Sequence, residues 1–232
     1  MAKARTVFAL LDEITHSAAE YQGLRAGRLV VAGTTTVGTY LVPRLVAEFS
    51  RQVPGVSCQI RVGNEETVES WLVDGEAGLG LAVGTPLDEH LVAEPVLEEE
   101  MVLVAAPDSP VTGRPLAPAE LADQRFLLRE AGSATRRLQE QALAAWGLAD
   151  VDRWDLWGPD TLKEAARHGL GITLLSNHAT RYELAHGMLA RVEIDVPAPS
   201  RTISLVHRAD RSLTPPERAF VALVRTVREW PA

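Results

Sequence analysis

The sequence predicts an α/β protein built from two similar lobes, each a parallel sheet covered by helices. Three observations carry that expectation. Short apolar strands alternate with segments of helical spacing in two successive runs, 28–84 and 118–194. Two long extended stretches, LVAEPVLEEE and MVLVAAP, separate the runs. A strand, RTISLVHR, and a helix opened by Thr214-Pro215-Pro216 close the chain. The chain is therefore expected to pass between lobes near 97–104 and back near 197–204. Two crossings make a hinge, and the cleft beside a hinge is a natural ligand site. A single doubly wound sheet is the competing topology, since periodicity does not separate the two.

The elements follow in order. Val7, Ile14 and Tyr21 recur every seven residues, with Leu10 and Leu24 between them, which predicts a helix over 1–27 with one apolar seam. So regular a seam ahead of the first strand suits dimerisation. RLVVAG is a strand, and TTTVGTYLVPRLVAEFSRQ reads as one helix. After Pro54-Gly55 comes strand VSCQIRVG, then a helix capped by Asn64, then the continuous apolar strand LGLAVG. The second run opens with a short helix at Pro118. It continues with strand RFLLRE, a helix capped by Ser133, strand RWDLWG, helix DTLKEAARHG, strand GITLLS, helix NHATRYELAHG and strand MLARVEI. The expected boundaries are 1–27 for the seam helix, 28–100 with 203–232 for the first lobe, and 101–202 for the second.

Bulk properties exclude several classes. The chain has 232 residues, 46% of them hydrophobic and 23% charged, enough to bury a core. Its net charge of −8 is poorly suited to neutralising phosphates, so contact with nucleic acid is not expected of this chain alone. The single cysteine, Cys58, excludes an internal disulfide and reads as a buried, inert thiol. No apolar run reaches the roughly 20 residues needed to span a bilayer. No secretory signal opens the chain, so the expected compartment is the cytoplasm.

The segments that carry chemistry lie where strands hand over to helices. At Gly33-Thr34-Thr35-Thr36 the unpaired N–H groups of a helix start, its dipole and three hydroxyls together suit an anion. A cap needs only one such hydroxyl. Arg129-Glu130-Ala131-Gly132-Ser133-Ala134-Thr135-Arg136 repeats that logic in the second run, and Gly84-Thr85-Pro86 adds a third turn. The expected ligand contacts are Thr34, Thr35, Thr36, Thr85, Ser133 and Thr135, with charge from Arg129 or Arg136. No metal site or cofactor is expected, and no catalytic one. The six histidines are scattered, and HExxH, CxxC and GxSxG are all absent. Glu98-Glu99-Glu100 reads as a solvated or inter-lobe charge patch, and Lys163 as an exposed helix lysine.

Taken together, these landmarks resemble the LysR-type transcriptional regulators over nearly the whole chain. They are the seam helix running into GRLVVAG, the Thr-rich turn with YLVPRLVAEF, the PGV turn, EEEMVLVAAPDSP, LREAGSATR and GLGITLLS. LREAGSATR is similar to the GSGTR-type signature of the branch that regulates carbon fixation and sulfur assimilation. The resemblance implies an effector-binding domain with two Rossmann-like lobes on a two-strand hinge, like type 2 periplasmic binding proteins. It implies a small-molecule effector, contacted by Thr34, Thr36, Thr85, Ser133 and Thr135, and a homodimer or tetramer built on the linker helix. It also implies that operator DNA is read only by a winged helix-turn-helix that this sequence lacks. Three departures bear on the pocket. Ala134 stands in place of a second glycine, Gly158-Pro159 in place of a polar pair, and Gly78 where an Asp is common. A solute-binding protein of a transport system is the alternative, and it calls for an export signal or lipid anchor.

Overall fold

The computed structural model describes residues 27–84, 86, 88–197 and 199–229. The seam helix over 1–27 therefore lies outside the described residues but for Gly27, as does Thr85. Two compact units emerge: one takes the chain up to Leu97 and again from Thr202, and the other is Glu98–Arg201.

In the first unit, β1 (Gly27–Thr34) pairs in parallel with β2 (Val56–Gly63) over its whole length and with β3 (Leu79–Val83) on its other side. β9 (Ser200–Arg208) lies antiparallel to β3, with Gly80 opposite Val206. The central strands β1 and β3 are buried toward both faces, as their continuous apolar runs require, whereas β2 alternates. One face packs Leu29, Val31, Leu79 and Leu81 under helices α1 (Thr35–Tyr40), α2 (Val42–Gln52) and α7 (Pro215–Val224). Phe49 and Phe220 meet there edge to face at 5.6 Å. The opposite face packs Ala32 and Val206 on Val68 and Leu72 of α3 (Glu65–Val73). Asn64 caps α3 as expected, its Oδ1 accepting the Thr67 N–H at 2.8 Å. Cys58 is half-buried rather than buried, 3.7 Å from Ser50 Oγ.

The single helix expected over 34–52 is instead two, α1 and α2, meeting at Leu41. The physical reason is Pro43, which has no N–H to continue a ladder and is accommodated in a first turn. Gly33 and Gly38 let α1 lie against the end of β1: a Cβ on Gly33 would stand 2.5 Å from Gly38 Cα.

In the second unit, β7 (Thr173–Ser176) and β8 (Ala190–Arg191) pair antiparallel with the distal part of β4 (Leu91–Ala105). β5 (Phe126–Arg129) and β6 (Arg153–Leu156) form a parallel pair, and β5 bridges Ile172 just ahead of β7. The helices are α4 (Ala134–Ala145), α5 (Pro159–Arg167) and α6 (Asn177–Ala185). Two extended stretches were expected over 91–107; they are one 15-residue strand, β4. MLARVEI yields only the two residues of β8 and an isolated bridge at Ile194. α7 ends at Val224.

The departure at Gly78 has a structural explanation. A Cβ there would lie 1.7 Å from Glu217 Oε1, so the space is already filled by a carboxylate from α7. Glu217 accepts from Arg211 Nη2 at 2.9 Å and from the Thr214 N–H at 2.8 Å, and Arg211 Nη2 also donates to the Gly78 carbonyl at 3.2 Å. Gly78→Ala is expected to evict that carboxylate and lower stability by roughly 1–3 kcal/mol in urea unfolding. Added to Glu217→Ala, the same substitution is expected to cost much less, since the two share one space.

Candidate functional site

The second unit concentrates its polar groups around the start of α4. Gly132 supplies a φ of +83° in the turn out of β5, a region that side chains with a Cβ rarely occupy. Ser133 then takes the N-cap position in extended conformation, but its hydroxyl makes no capping bond. That corrects the expectation that Ser133 satisfies the helix. Thr34 likewise sits at the N-cap of α1 without capping it. Ser133 and Thr135 are both buried, beside first-turn N–H groups that have no intrahelical acceptor.

Neither arginine expected to add charge is available for that role. Arg129 is fully buried and forks onto Glu130, with Nε and Nη2 at 2.7 and 2.6 Å from its two oxygens. Arg136 is spent on Glu140 at 2.7 Å, on Asp155 and on the Arg129 carbonyl at 2.8 Å. Burial pushes the Glu130 carboxyl up, but the Arg129 guanidinium and the Gly158 N–H outweigh it and hold the group below its usual range. The Gly158 N–H, 3.1 Å from Glu130 Oε2, is thus used internally, and Pro159 has none to offer.

The site also contains groups the sequence reading misplaced. Glu98 and Glu100 are exposed, but Glu99 is fully buried, correcting the solvated charge patch. Strand alternation turns the middle carboxylate of the three inward. Glu99 Oε2 accepts from Arg201 Nε and its Oε1 from Ser176 Oγ. Ser176 in turn accepts the Ala179 N–H at 3.2 Å and so caps α6. Arg201, which no local sequence signal marks, reaches Thr135 Oγ1 through Nη1 at 2.9 Å. Lys163 is buried rather than exposed: it ties α5 to α6 through Glu183 at 2.7 Å and the Ala179 carbonyl at 3.1 Å.

In the first unit, Thr34 and Thr36 are buried, and Thr34 Oγ1 has no hydrogen-bond partner among the described residues. Thr35 Oγ1 donates to the Gly63 carbonyl at 3.3 Å. Since α1 has only six residues, the hydroxyls rather than a long helix dipole are the distinctive feature there. No cluster of metal-ligating side chains occurs among the described residues, and no described helix is long and apolar enough to cross a membrane.

Comparison with known proteins agrees with this architecture. The family model described as the LysR substrate binding domain matches residues 22–229. The RuBisCO operon transcriptional regulator of Acidithiobacillus ferrooxidans is 32% identical over 212 residues, 91% of this chain and 68% of that protein. The HTH-type transcriptional regulator YeiE of Escherichia coli K12 is 30% identical over 195 residues, 84% and 67% of the two chains. Among solved structures, the CcmR regulatory domain of Synechocystis PCC6803 in complex with 2-PG superposes with a TM-score of 0.76 at 28% identity, covering 86% of this chain and 96% of that one. The effector binding domain of QuiR superposes equally well, at 0.76, but at 18% identity it speaks to the fold alone. The chain belongs to the LysR family, as the effector-binding domain of a LysR-type transcriptional regulator. The transport alternative is not favoured, since these relatives are transcriptional regulators.

The lowered Glu130 carboxyl makes a pH prediction. A folded value below the unfolded one gives stability that is present above the usual 4.5 and lost as pH falls through the folded value. Urea unfolding is expected to show that loss below about pH 4.5. Glu130→Gln is expected to flatten it and, by leaving Arg129 buried without its counter-charge, to cost about 3–5 kcal/mol at neutral pH.

Proposed function

We propose that this domain senses a small anionic metabolite, held rather than turned over, through hydroxyl and N–H donors at its strand-to-helix turns. The observation that carries this reading is the pair Ser133 and Thr135. Both are buried at the start of a 12-residue helix, and the Ser133 hydroxyl is not spent on capping it. In the first unit Thr34 and Thr36 are the corresponding donors, Thr35 serving its own unit by holding the Gly63 carbonyl. Thr85 completes the set expected from the sequence. The CcmR regulatory domain, a relative of the same fold, binds 2-PG, which supports a small effector here.

In the full-length regulator, operator contact falls to a winged helix-turn-helix, and the apolar seam of the sequence over 1–27 joins copies into a dimer or tetramer. The net charge of −8 fits a sensing domain that leaves phosphate contact to another segment.

A thermal-shift panel of small carboxylates, phosphates and neutral polyols tests this. At least one anion is expected to raise the melting temperature, and ligand at 100 times its Kd adds about 2.7 kcal/mol of stability. Ser133→Ala and Thr135→Val are each expected to weaken that ligand about tenfold, by the loss of one hydrogen bond to a charged group. A panel in which only neutral compounds bind, or an anion indifferent to both substitutions, overturns the reading.

A further inference from the structure

We propose that Arg201 is the specificity-determining residue of this domain: it admits an oxyanion group, carboxylate, phosphate or sulfate, beside Ser133 and Thr135. The proposal rests on the reading that those two hydroxyls contact the effector.

The argument starts from unmet hydrogen bonds. Arg201 is 7% exposed, so more than nine-tenths of it is buried. Its guanidinium carries five N–H donors in a fixed plane. Nε is taken by Glu99 and one Nη1 donor by Thr135 Oγ1 at 2.9 Å, but Nη2 has no partner among the described residues and is closed to solvent. A buried unmet donor on a charged group is costly, and such positions are uncommon unless something else occupies them. The guanidinium plane is already fixed at two points, and one of them is the first turn of α4.

The second step concerns polarity. A hydroxyl both accepts and donates, but Thr135 offers its oxygen to Arg201, which leaves its hydrogen to point elsewhere. The neighbourhood therefore presents donors: Arg201 Nη2, the Thr135 O–H, the uncommitted Ser133 hydroxyl and the first-turn N–H groups of α4. A ligand oxygen with lone pairs and negative charge meets all of them, and charge-assisted bonds of this kind are the strong ones. An ammonium or a bare hydrocarbon meets none. Arg129 and Arg136 lie close in sequence but are occupied by Glu130 and by Glu140 with Asp155.

Glu99 is a positioning residue in this scheme. Both its oxygens are used, by Arg201 and Ser176, so it fixes the guanidinium and offsets its charge while no anion is bound.

Titration calorimetry of the chain with inorganic phosphate and inorganic sulfate tests the inference on four proteins: wild type, Arg201→Lys, Glu99→Gln/Arg201→Met and Thr135→Val. The double variant removes the ion pair together, so that no buried charge is left alone; Arg201→Lys keeps the charge and loses the fork. The expected result is one site per chain for phosphate or sulfate, weakened at least tenfold in all three variants, with cooperative melting retained. Loss in Thr135→Val with none in either Arg201 variant overturns the role of Arg201 and leaves the effector site standing. Binding unchanged in every variant overturns both. If wild type takes up neither anion, the oxyanion assignment is wrong, whatever metabolites the panel above identifies.

Discussion

A fully buried carboxylate bonded to a buried guanidinium, Glu99 to Arg201, is the constraint on which the second unit is organised. Moving two charges out of water costs several kcal/mol each, and their attraction repays that only when the remaining lone pairs and protons are also met. The surroundings meet nearly all of them. Glu99 is completed by the Ser176 hydroxyl, which also caps α6, and Arg201 by the Thr135 hydroxyl in the first turn of α4. One ion pair thus sets β4, β9, the β7–α6 junction and the α4 turn against one another. Its two residues sit within two positions of the ends of the second unit, on the strands that carry the chain into and out of it.

The other buried cations of this unit are paired, although Glu183 Oε2, like Arg201 Nη2, has no partner among the described residues. Arg129 and Glu130 satisfy each other and hold the Gly158 turn. Gln139 spans from the Arg129 N–H to the Leu174 carbonyl, at 2.8 and 2.9 Å, and so stitches β5 to β7 beneath α4. Lys163 joins α5 to α6. These networks fix the turn rigidly without offering it charge. Arg201 differs in keeping one nitrogen unused, and that difference separates a structural arginine from a recognising one.

Much of the fold was legible because it rests on periodicity. The strands RLVVAG, VSCQIRVG and LGLAVG declared themselves by continuous or alternating apolar runs bounded by Gly and Pro, and Asn64 announced α3 by its capping chemistry. The errors have local causes. Pro43 divided a helix whose apolar spacing runs through it, and Pro95 failed to divide a strand that carries it. The turns of the candidate site were readable as Gly followed by hydroxyls, whereas the charges around them were not. Arg129 and Arg136 stand beside the turn in sequence yet face their own acids, while Arg201 comes from 66 residues away. Long-range pairing of buried charges leaves no mark in a single sequence except strand alternation, the one signal that sets Glu99 apart within an acidic run read from sequence as a single charge patch.

The most direct measurement is a crystal structure of this chain grown in inorganic sulfate. The expected result is a sulfate whose oxygens lie about 2.7–3.1 Å from Arg201 Nη2 and the Thr135 and Ser133 hydroxyls, with the Glu99–Arg201 bond intact. Water alone on Arg201 Nη2, or an anion bound elsewhere with this guanidinium turned away from α4, contradicts it.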